Sequence, residues 1–449
     1  MRPSTHTSQG WVCQIGLAAA LALSSTCEAL AGGFEVQQSA YFQGMSFAGV
    51  ATGGPSLASI SWNPATSSFA GPGLTMESSY AAVLPEAELR VLNPDMQLPP
   101  PGTANVDMGR DGFLAASFNA VRVSDRTVLG LSITAPFGLV TKPDDLNWAG
   151  KYEALTSKIF SLNATPSLSY EIAPGLSLGV GVQFQYFDLL ELRAATPLGG
   201  SNINGDDFGV GVMAGINFSP TKGTSIGLGF RSSIEHDLQG DFKLHYNAAV
   251  APLVGVERVS VPVNANIDLP EKLTFSFRQS VSPRARLLGT VDWANWSRLG
   301  VIPIRLEGPF PPLKAGDPIA SLVFNWRDGW LFALGGEYDC SPRLTLRAGV
   351  AYEVSPVDGA TTRLVQVPDS NHTWASVGAT YRVSDNSSID FAYSHGFFED
   401  DAPFERLPAA TLLQTVPPLI GEANVSADMI SVGWRWRWGG HASAPAPLK

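Results

Sequence analysis

Cysteine, charge and long apolar runs are all scarce in this 449-residue chain, and each scarcity excludes a class of protein. Two of the three cysteines, Cys13 and Cys27, lie near the N-terminus. Only Cys340 lies beyond, so the bulk of the chain has neither a disulfide scaffold nor a cysteine-rich metal site. Charged residues make up 15%, against about 25% in an ordinary soluble domain. The net charge of −11 argues against a nucleic-acid partner, which needs a basic surface. Past the N-terminal region no stretch has the roughly eighteen uncharged apolar residues of a membrane-spanning helix. Mean hydropathy, +0.07, is too low for a helical membrane bundle. The six histidines are dispersed and none belongs to a cluster with metal-ligand spacing. No cofactor is expected.

Glycine (45 residues) and aromatics (10%) are plentiful instead. That composition suits a secreted β-protein or an outer-membrane barrel, and the patterning separates the two. Across 157–172, Phe160, Leu162, Leu168 and Tyr170 share one face, and Ser161, Asn163, Thr165 and Ser169 share the other. After the turn Ala173-Pro174-Gly175 the pattern restarts, with Leu176, Leu178, Val180, Val182 and Phe184 opposite Ser177, Gly179, Gly181, Gln183 and Gln185. Period-two alternation defines strands with one apolar and one small or polar face. Arms this long suit tilted membrane-spanning strands.

The unit recurs. Strand-like segments are expected at 73–91, 111–123, 126–136, 157–172, 175–193, 205–219 and 222–246. They continue at 258–281, 284–308, 318–339, 341–353, 371–384, 386–399 and 426–438, about fourteen in all. Short turns such as Ser124-Asp125, Ser282-Pro283 and Ser341-Pro342 alternate with long connections at 92–110, 137–156, 309–317 and 400–425. Short periplasmic turns and long outer loops are the plan of a bacterial barrel. The final strand sets Ile430, Val432, Trp434, Trp436 and Trp438 against Ser431, Gly433, Arg435 and Arg437. Two arginines suit a polar lumen, and terminal tryptophans suit an interfacial girdle.

Four regions follow: a signal peptide at 1–31, a plug at 32–72, a barrel at 73–438 and a tail at 439–449. Arg2 and His6 precede a short apolar core, and Ala29-Leu30-Ala31 supplies an A-x-A cleavage site. The stretch 32–72 is rich in small residues, carries scattered aromatics and has Glu35 as its sole charge, which argues for packing inside the lumen. Two outer loops are unexpectedly apolar: Pro309 to Leu313, and Leu412 through Ile420. Such patches mark binding surfaces or pack on one another as a lid. The sequence Gly175-Leu176-Ser177-Leu178-Gly179 matches a hydrolase elbow, but Ser177 sits inside an alternating strand rather than a strand-to-helix turn. A surface lipase, or an adhesin barrel, is therefore the weaker reading.

Several blocks carry a family likeness: Gly33-Phe34, then Trp62-Asn63-Pro64-Ala65, Trp148-Ala149-Gly150-Lys151-Tyr152, Phe230 to His236, Leu269-Pro270-Glu271-Lys272-Leu273, Asp292 to Ser297, and Trp326-Arg327-Asp328. In this order the chain resembles the bacterial long-chain fatty acid outer-membrane transporters of the FadL/TodX type. The resemblance implies a monomeric, all-β transmembrane antiparallel barrel of about fourteen strands, closed by an N-terminal plug. It implies passive, non-enzymatic transport of a hydrophobic small molecule, with lateral release into outer-membrane lipid through a kinked early strand. Long-chain fatty acids are the expected cargo and monoaromatic hydrocarbons the alternative. The plug motif is Phe34, Trp62, Asn63, Pro64 and Ala65. Ligand contacts are expected at Arg327, Arg193, Trp326, Phe310 and Leu313, with Arg327 foremost for a carboxylate. Asp188 stands near the position where carboxylate-gripping relatives carry a base, leaving Arg193 as the nearest cation. Gly109 and Gly112 are the candidates for the kink.

Overall fold

Alternation gives each strand a face for lipid and a face for the lumen, and the long hairpin displays both. In the computed structural model Ser161, Asn163, Thr165 and Ser169 are buried, while Leu168, Tyr170, Leu178 and Val180 face outward. The structure describes residues 33–96, 102–406 and 418–439. The leader at 1–31, the tail beyond Gly439, and Leu412, Leu413 and Pro417 of the apolar outer loop lie outside the described residues.

A closed antiparallel barrel of 14 strands surrounds the N-terminal segment. The strands are β1 (Leu74–Val91), β2 (Asn105–Asp107 and Gly112–Arg122), β3 (Thr127–Thr134 and Gly138–Thr141), β4 (Thr156–Ala173) and β5 (Leu176–Thr196). Then come β6 (Gly199–Thr221), β7 (Thr224–Arg231 and Ile234–Tyr246), β8 (Arg258–Leu269 and Lys272–Ser280), β9 (Ala285–Ala294 and Val301–Leu306) and β10 (Pro318–Val323 and Gly329–Ser341). The last are β11 (Leu344–Val354), β12 (His372–Ser384), β13 (Ser387–Phe398 and Ala402–Arg406) and β14 (Leu419–Trp438). Pairing of β1 with β14, from Leu74↔Trp438 to Val91↔Gly421, closes the ring. β14 starts earlier than the sequence pattern suggests, so Leu419 and Ile420 are strand residues, the first buried and the second facing out. Trp434, Trp436 and Trp438 stack in an outward ladder with ring centroids 5.6 Å apart.

The plug is built from one turn of helix, α1 (Ala40–Gln43), and two 3₁₀ turns, Leu57–Ser61 and Pro64–Phe69. Asn63 caps the second 3₁₀ turn by accepting from the Ala65 amide at 3.0 Å, and Pro64 takes the first position, where no N–H is needed. The Asn63 amide nitrogen donates to Ala51 O at 2.8 Å within the plug and to Ile216 O at 2.9 Å in the barrel wall. The wall yields space where this motif docks. A Cβ on Gly215 would overlap Asn63 Oδ1, and one on Gly229 would overlap Trp62 O.

Charge anchors the rear of the plug. Arg435 lies 3.2 Å from Glu77 and 2.8 Å from Asp390, and Glu77 accepts from Ser56 Oγ at 2.6 Å and the Leu57 amide at 2.7 Å. Tyr41 donates to Glu337, and the Arg347 guanidinium stands 4.1 Å from the Tyr41 ring centroid. Arg435, read as lumen-facing, thus serves the plug in a polar periplasmic half, and Arg347 joins it there.

Gly215→Val is expected to unseat the Asn63 turn while the barrel still closes. Limited proteolysis of the folded variant should cut within 50–70, with the barrel keeping its heat-dependent gel mobility. Asn63→Ala leaves two buried carbonyls without their donor, so a loss of about 3 kcal/mol of plug docking is expected, read by hydrogen exchange over the same residues.

Candidate functional site

Two strands change phase partway up the wall, and the site exists because of it. In β7, Ile226, Leu228 and Phe230 face outward, whereas beyond the bend at 232–233 the same parity, Ile234, Leu238, Phe242 and Leu244, is buried inside. In β8, Leu273 and Phe275 face outward, whereas Val261, Val263 and Leu269 above Pro270 are buried inside. One irregular residue pair exchanges the faces of a strand. The outer half of the lumen is consequently apolar, in contrast to the polar lumen read from Arg435 and Arg437 at the other end. Phe242, Val261, Ile302, Ile304 and Ile319 belong to one continuous cluster that runs to Phe34 of the plug.

Aromatic rings close the bottom of this shaft. Phe34 packs against Trp296 at 5.1 Å, Phe137 at 5.8 Å and Trp326 at 6.2 Å, centroid to centroid. Trp326 also meets Phe324 at 4.9 Å and Trp296 at 5.5 Å, and its indole donates to Thr362 O at 3.1 Å. At the top, Phe310 turns inward onto Phe242, with centroids 5.6 Å apart, and Leu313 packs against the same cluster. The loop at 309–313 therefore behaves as a lid over the shaft.

The structure brings Phe34, Trp326, Phe310 and Leu313 together and leaves both predicted cations out. Arg327 is 42% exposed, lies 2.8 Å from Asp358 and donates to Ser355 O at 3.1 Å. Trp326 takes the interior, and its neighbour points away. Arg193 is 48% exposed and pairs with Glu191 at 3.4 Å. Near Asp188, it is Phe187 and Leu189 that are buried in the shaft cluster. Trp62 of the plug motif lines a small cavity of about 30 Å³ below the aromatic floor, together with Glu35, Arg231 and Lys272. Asn63 and Ala65 are buried at the wall instead.

Another cation does reach apolar surroundings. A cavity of about 80 Å³ near the outer end is lined by Leu192, Ile203, Phe242, Ile319 and Leu364, with Glu153, Gln366 and Arg406 among its polar groups. The Arg406 side chain is only 9% exposed, its Nε lies 3.7 Å from Glu153, and its Nη1 donates to Thr361 O at 3.3 Å. Arg406 Nε and Gln366 Oε1 are buried without hydrogen-bond partners among the described residues. Burial pushes the Glu153 carboxyl above its usual range, with Arg406 opposing it only in part. The sequence reading missed Arg406 because 402–406, an extension of β13, looked like loop.

The wall itself is incomplete beside the floor of the shaft. β3 is interrupted at 135–137, where Pro136 cannot donate. β2 and β3 pair from Arg122↔Val128 to Ser117↔Ile133, and 113–116 of β2 has no ladder partner in β3 among the described residues. Contact resumes higher up, where the Lys142 amide donates to Met108 O at 3.1 Å. Plug and neighbour residues satisfy the interrupted backbone. Gln38 donates to Ala135 O and accepts from its amide, both at 2.9 Å. The Val36 amide donates to Pro136 O at 2.7 Å, and the Gly138 amide donates to Phe34 O at 3.0 Å. Ser161 Oγ serves Phe137 at 2.8 Å. The break therefore centres on β3. Gly109 and Gly112 flank the facing edge, and Gly109 closely approaches Pro85 O of β1.

A family model described as "Outer membrane protein transport protein (OMPP1/FadL/TodX)" matches residues 22–438. The chain belongs to this family. It is a bacterial outer-membrane barrel that transports hydrophobic compounds, in a family without enzymatic activity. Ser177 of the elbow-like motif accordingly lies buried within β5. A "Long-chain fatty acid transport protein" of Salmonella typhi is 26% identical over 428 residues, 85% of this chain and 91% of the relative. A "47 kDa outer membrane protein" of Pasteurella multocida is 25% identical, over 82% of this chain and 89% of the relative. Among solved structures, a Pseudomonas aeruginosa FadL homologue gives a TM-score of 0.78 at 22% identity, covering 91% of this chain and 100% of that one. The P. putida toluene transporter TodX gives 0.69 at 16% identity, covering 92% and 100%.

Gln38→Ala strips both of its bonds from Ala135. Amide protection across 134–141 is expected to fall about tenfold, roughly 1.4 kcal/mol, while protection of β9 to β12 holds. Hydrogen exchange by mass spectrometry reads both regions in one experiment.

Proposed function

We propose that the protein takes up long-chain fatty acids, capturing them beneath the outer loops and releasing them sideways into the membrane at the β3 break. The observation that carries this reading is the continuous cluster of apolar side chains that runs from Phe310 to Phe34, beside backbone that the wall leaves unpaired. Burying acyl carbons there is favourable by about 0.8 kcal/mol per CH₂. The carboxylate finds a charge-assisted partner in Arg406, whose Nε faces Glu153 only at 3.7 Å, beyond hydrogen-bond distance. Arg327 and Arg193 have no part in this grip, because surface pairs hold them outside the shaft. Monoaromatic hydrocarbons are the second reading. The ring cluster of Phe34, Trp296, Phe324 and Trp326 offers edge-to-face contacts that need no cation.

Competitive uptake of labelled oleate and toluene, in cells lacking their own transporter, separates the two. Oleate uptake is expected with the wild type, several-fold lower at limiting oleate with Arg406→Gln and unchanged with Arg327→Ala. Toluene uptake without oleate uptake, insensitive to Arg406, would retire the fatty acid reading. A second variant tests the exit. Ala115 is buried on the edge of β2 that β3 leaves unpaired, with the parity of outward-facing Phe113, so Ala115→Trp crowds that edge. Oleate binding to the purified variant should persist while uptake falls.

A further inference from the structure

We propose that Glu35 of the plug is a resident stand-in for the carboxylate of the cargo, and that exchange of one for the other unseals the wall. The proposal rests on the fatty acid reading for the identity of the incoming anion. Glu35 is the only charged residue in 32–72, yet it is buried. Lys272 Nζ holds it at 2.8 and 3.0 Å and also lies 2.8 Å from Asp292. Arg231 stands 3.8 Å from Glu35 and donates to Ser61 O at 2.9 Å.

The charges in this cluster balance as two cations against two carboxylates. Removing Glu35 alone would leave one buried positive charge in excess, which is strongly unfavourable unless another anion replaces it. Asp292 cannot supply the exchange, because it is fixed on β9 and accepts from Thr274 Oγ1 at 2.7 Å. The next carboxylate along the wall, Glu353, sits on β11 beside His372 at 3.1 Å. Glu35 alone belongs to a segment outside the barrel ladder. The cavity beside it, about 30 Å³, has room for about one water and none for a second carboxylate. An incoming carboxylate must therefore replace Glu35 rather than join it.

Position couples this exchange to the wall. Glu35 lies between Phe34 and Val36, whose backbone groups bond across the β3 break, and Glu35 itself bridges Phe137. Phe34 is the floor of the shaft, so a chain descending head first meets the cluster next. A neutral hydrocarbon offers no charge to Lys272 and Arg231 and leaves Glu35 in place. The cluster thus makes opening conditional on a carboxylate.

The test uses the full-length purified wild type, Glu35→Gln, and the double variant Glu35→Gln/Lys272→Met, which removes one charge of each sign. Binding of oleate and of oleyl alcohol is measured, with hydrogen exchange across 134–141. Glu35→Gln should bind oleate at least tenfold more tightly and oleyl alcohol within twofold of wild type, and the double variant should lose the gain. Oleate, but not oleyl alcohol, should deprotect 134–141 in the wild type. Equal gains for acid and alcohol, or oleate binding that leaves 134–141 protected, would overturn the exchange. Should the wild type bind neither ligand, the fatty acid reading fails separately. The ligand-free proteins then decide for the latch: Glu35→Gln must lower protection across 134–141, and unchanged protection overturns it.

Discussion

A strand inside a bilayer cannot leave backbone N–H and C=O groups without partners. The interruption of β3 meets this demand with the plug, through four bonds to Gln38, Val36 and Phe34. The plug front is therefore part of the wall at this place, not merely an obstruction behind it. Any shift of 34–38 uncovers polar backbone at 135–138, so plug position and wall continuity are one variable. Ser161, on the neighbouring β4, holds Phe137 whatever the plug does and limits how far the break can spread.

The rear of the plug is held by a different physics. Tyr41, Ser56 and Leu57 are tied to Glu337 and Glu77, and those carboxylates are fixed in turn by Arg278, Arg286 and Arg435. Breaking one partner out of a buried ionic network costs several kcal/mol because the remaining charge is stranded. The front, by contrast, is held by ring packing, a few backbone bonds and a single buried carboxylate, Glu35, set between Lys272 and Arg231. The weak and strong ends meet near Ser39, which caps α1 by accepting from the Phe42 amide at 3.2 Å. Movement confined to 33–38 opens toward β3, whereas withdrawal of the whole plug would have to dismantle the arginine network first.

Much of this was legible in the chain. The hairpin 157–186 declared its two faces by strict alternation, and Trp434 to Trp438 against Arg435 and Arg437 declared lipid and lumen. Asn63-Pro64-Ala65 marked the plug motif, and the fold adds that it forms a capped 3₁₀ turn. The phase changes at 232–233 and 270–271 were not legible, because each half-strand alternates regularly on its own. Counted through, the parity puts Phe242 and Leu244 in lipid. Pro270 was the available signal, since a proline cannot donate into a ladder. Trp326-Arg327 identified a position but not a side: neighbours on an extended chain diverge, and the larger apolar ring won the interior. The pairing of Glu35 with Lys272 joins residues far apart in sequence, and no local pattern announces it. Pro136 was visible, but its meaning depends on Val36 and Gln38, which only the fold brings there.

For a long acyl chain, magnitudes choose the exit. Drawing some sixteen methylenes from the shaft through a hydrated, charged rear would cost about 13 kcal/mol, at roughly 0.8 kcal/mol each. Parting four backbone hydrogen bonds at the β3 break costs about 1 kcal/mol net apiece where the freed groups find new partners, and up to about 3 where they do not. The sideways route is cheaper still if each methylene passes from apolar shaft to apolar lipid, because its hydration never has to be restored. The same comparison reverses for a small polar solute, which gains nothing from the shaft and meets plug and ion pairs below it. On the proposed fatty acid reading, an apolar lining above a charged, anchored plug favours cargo with a long greasy tail, and the cheaper exit lies where the wall depends on Phe34, Val36 and Gln38.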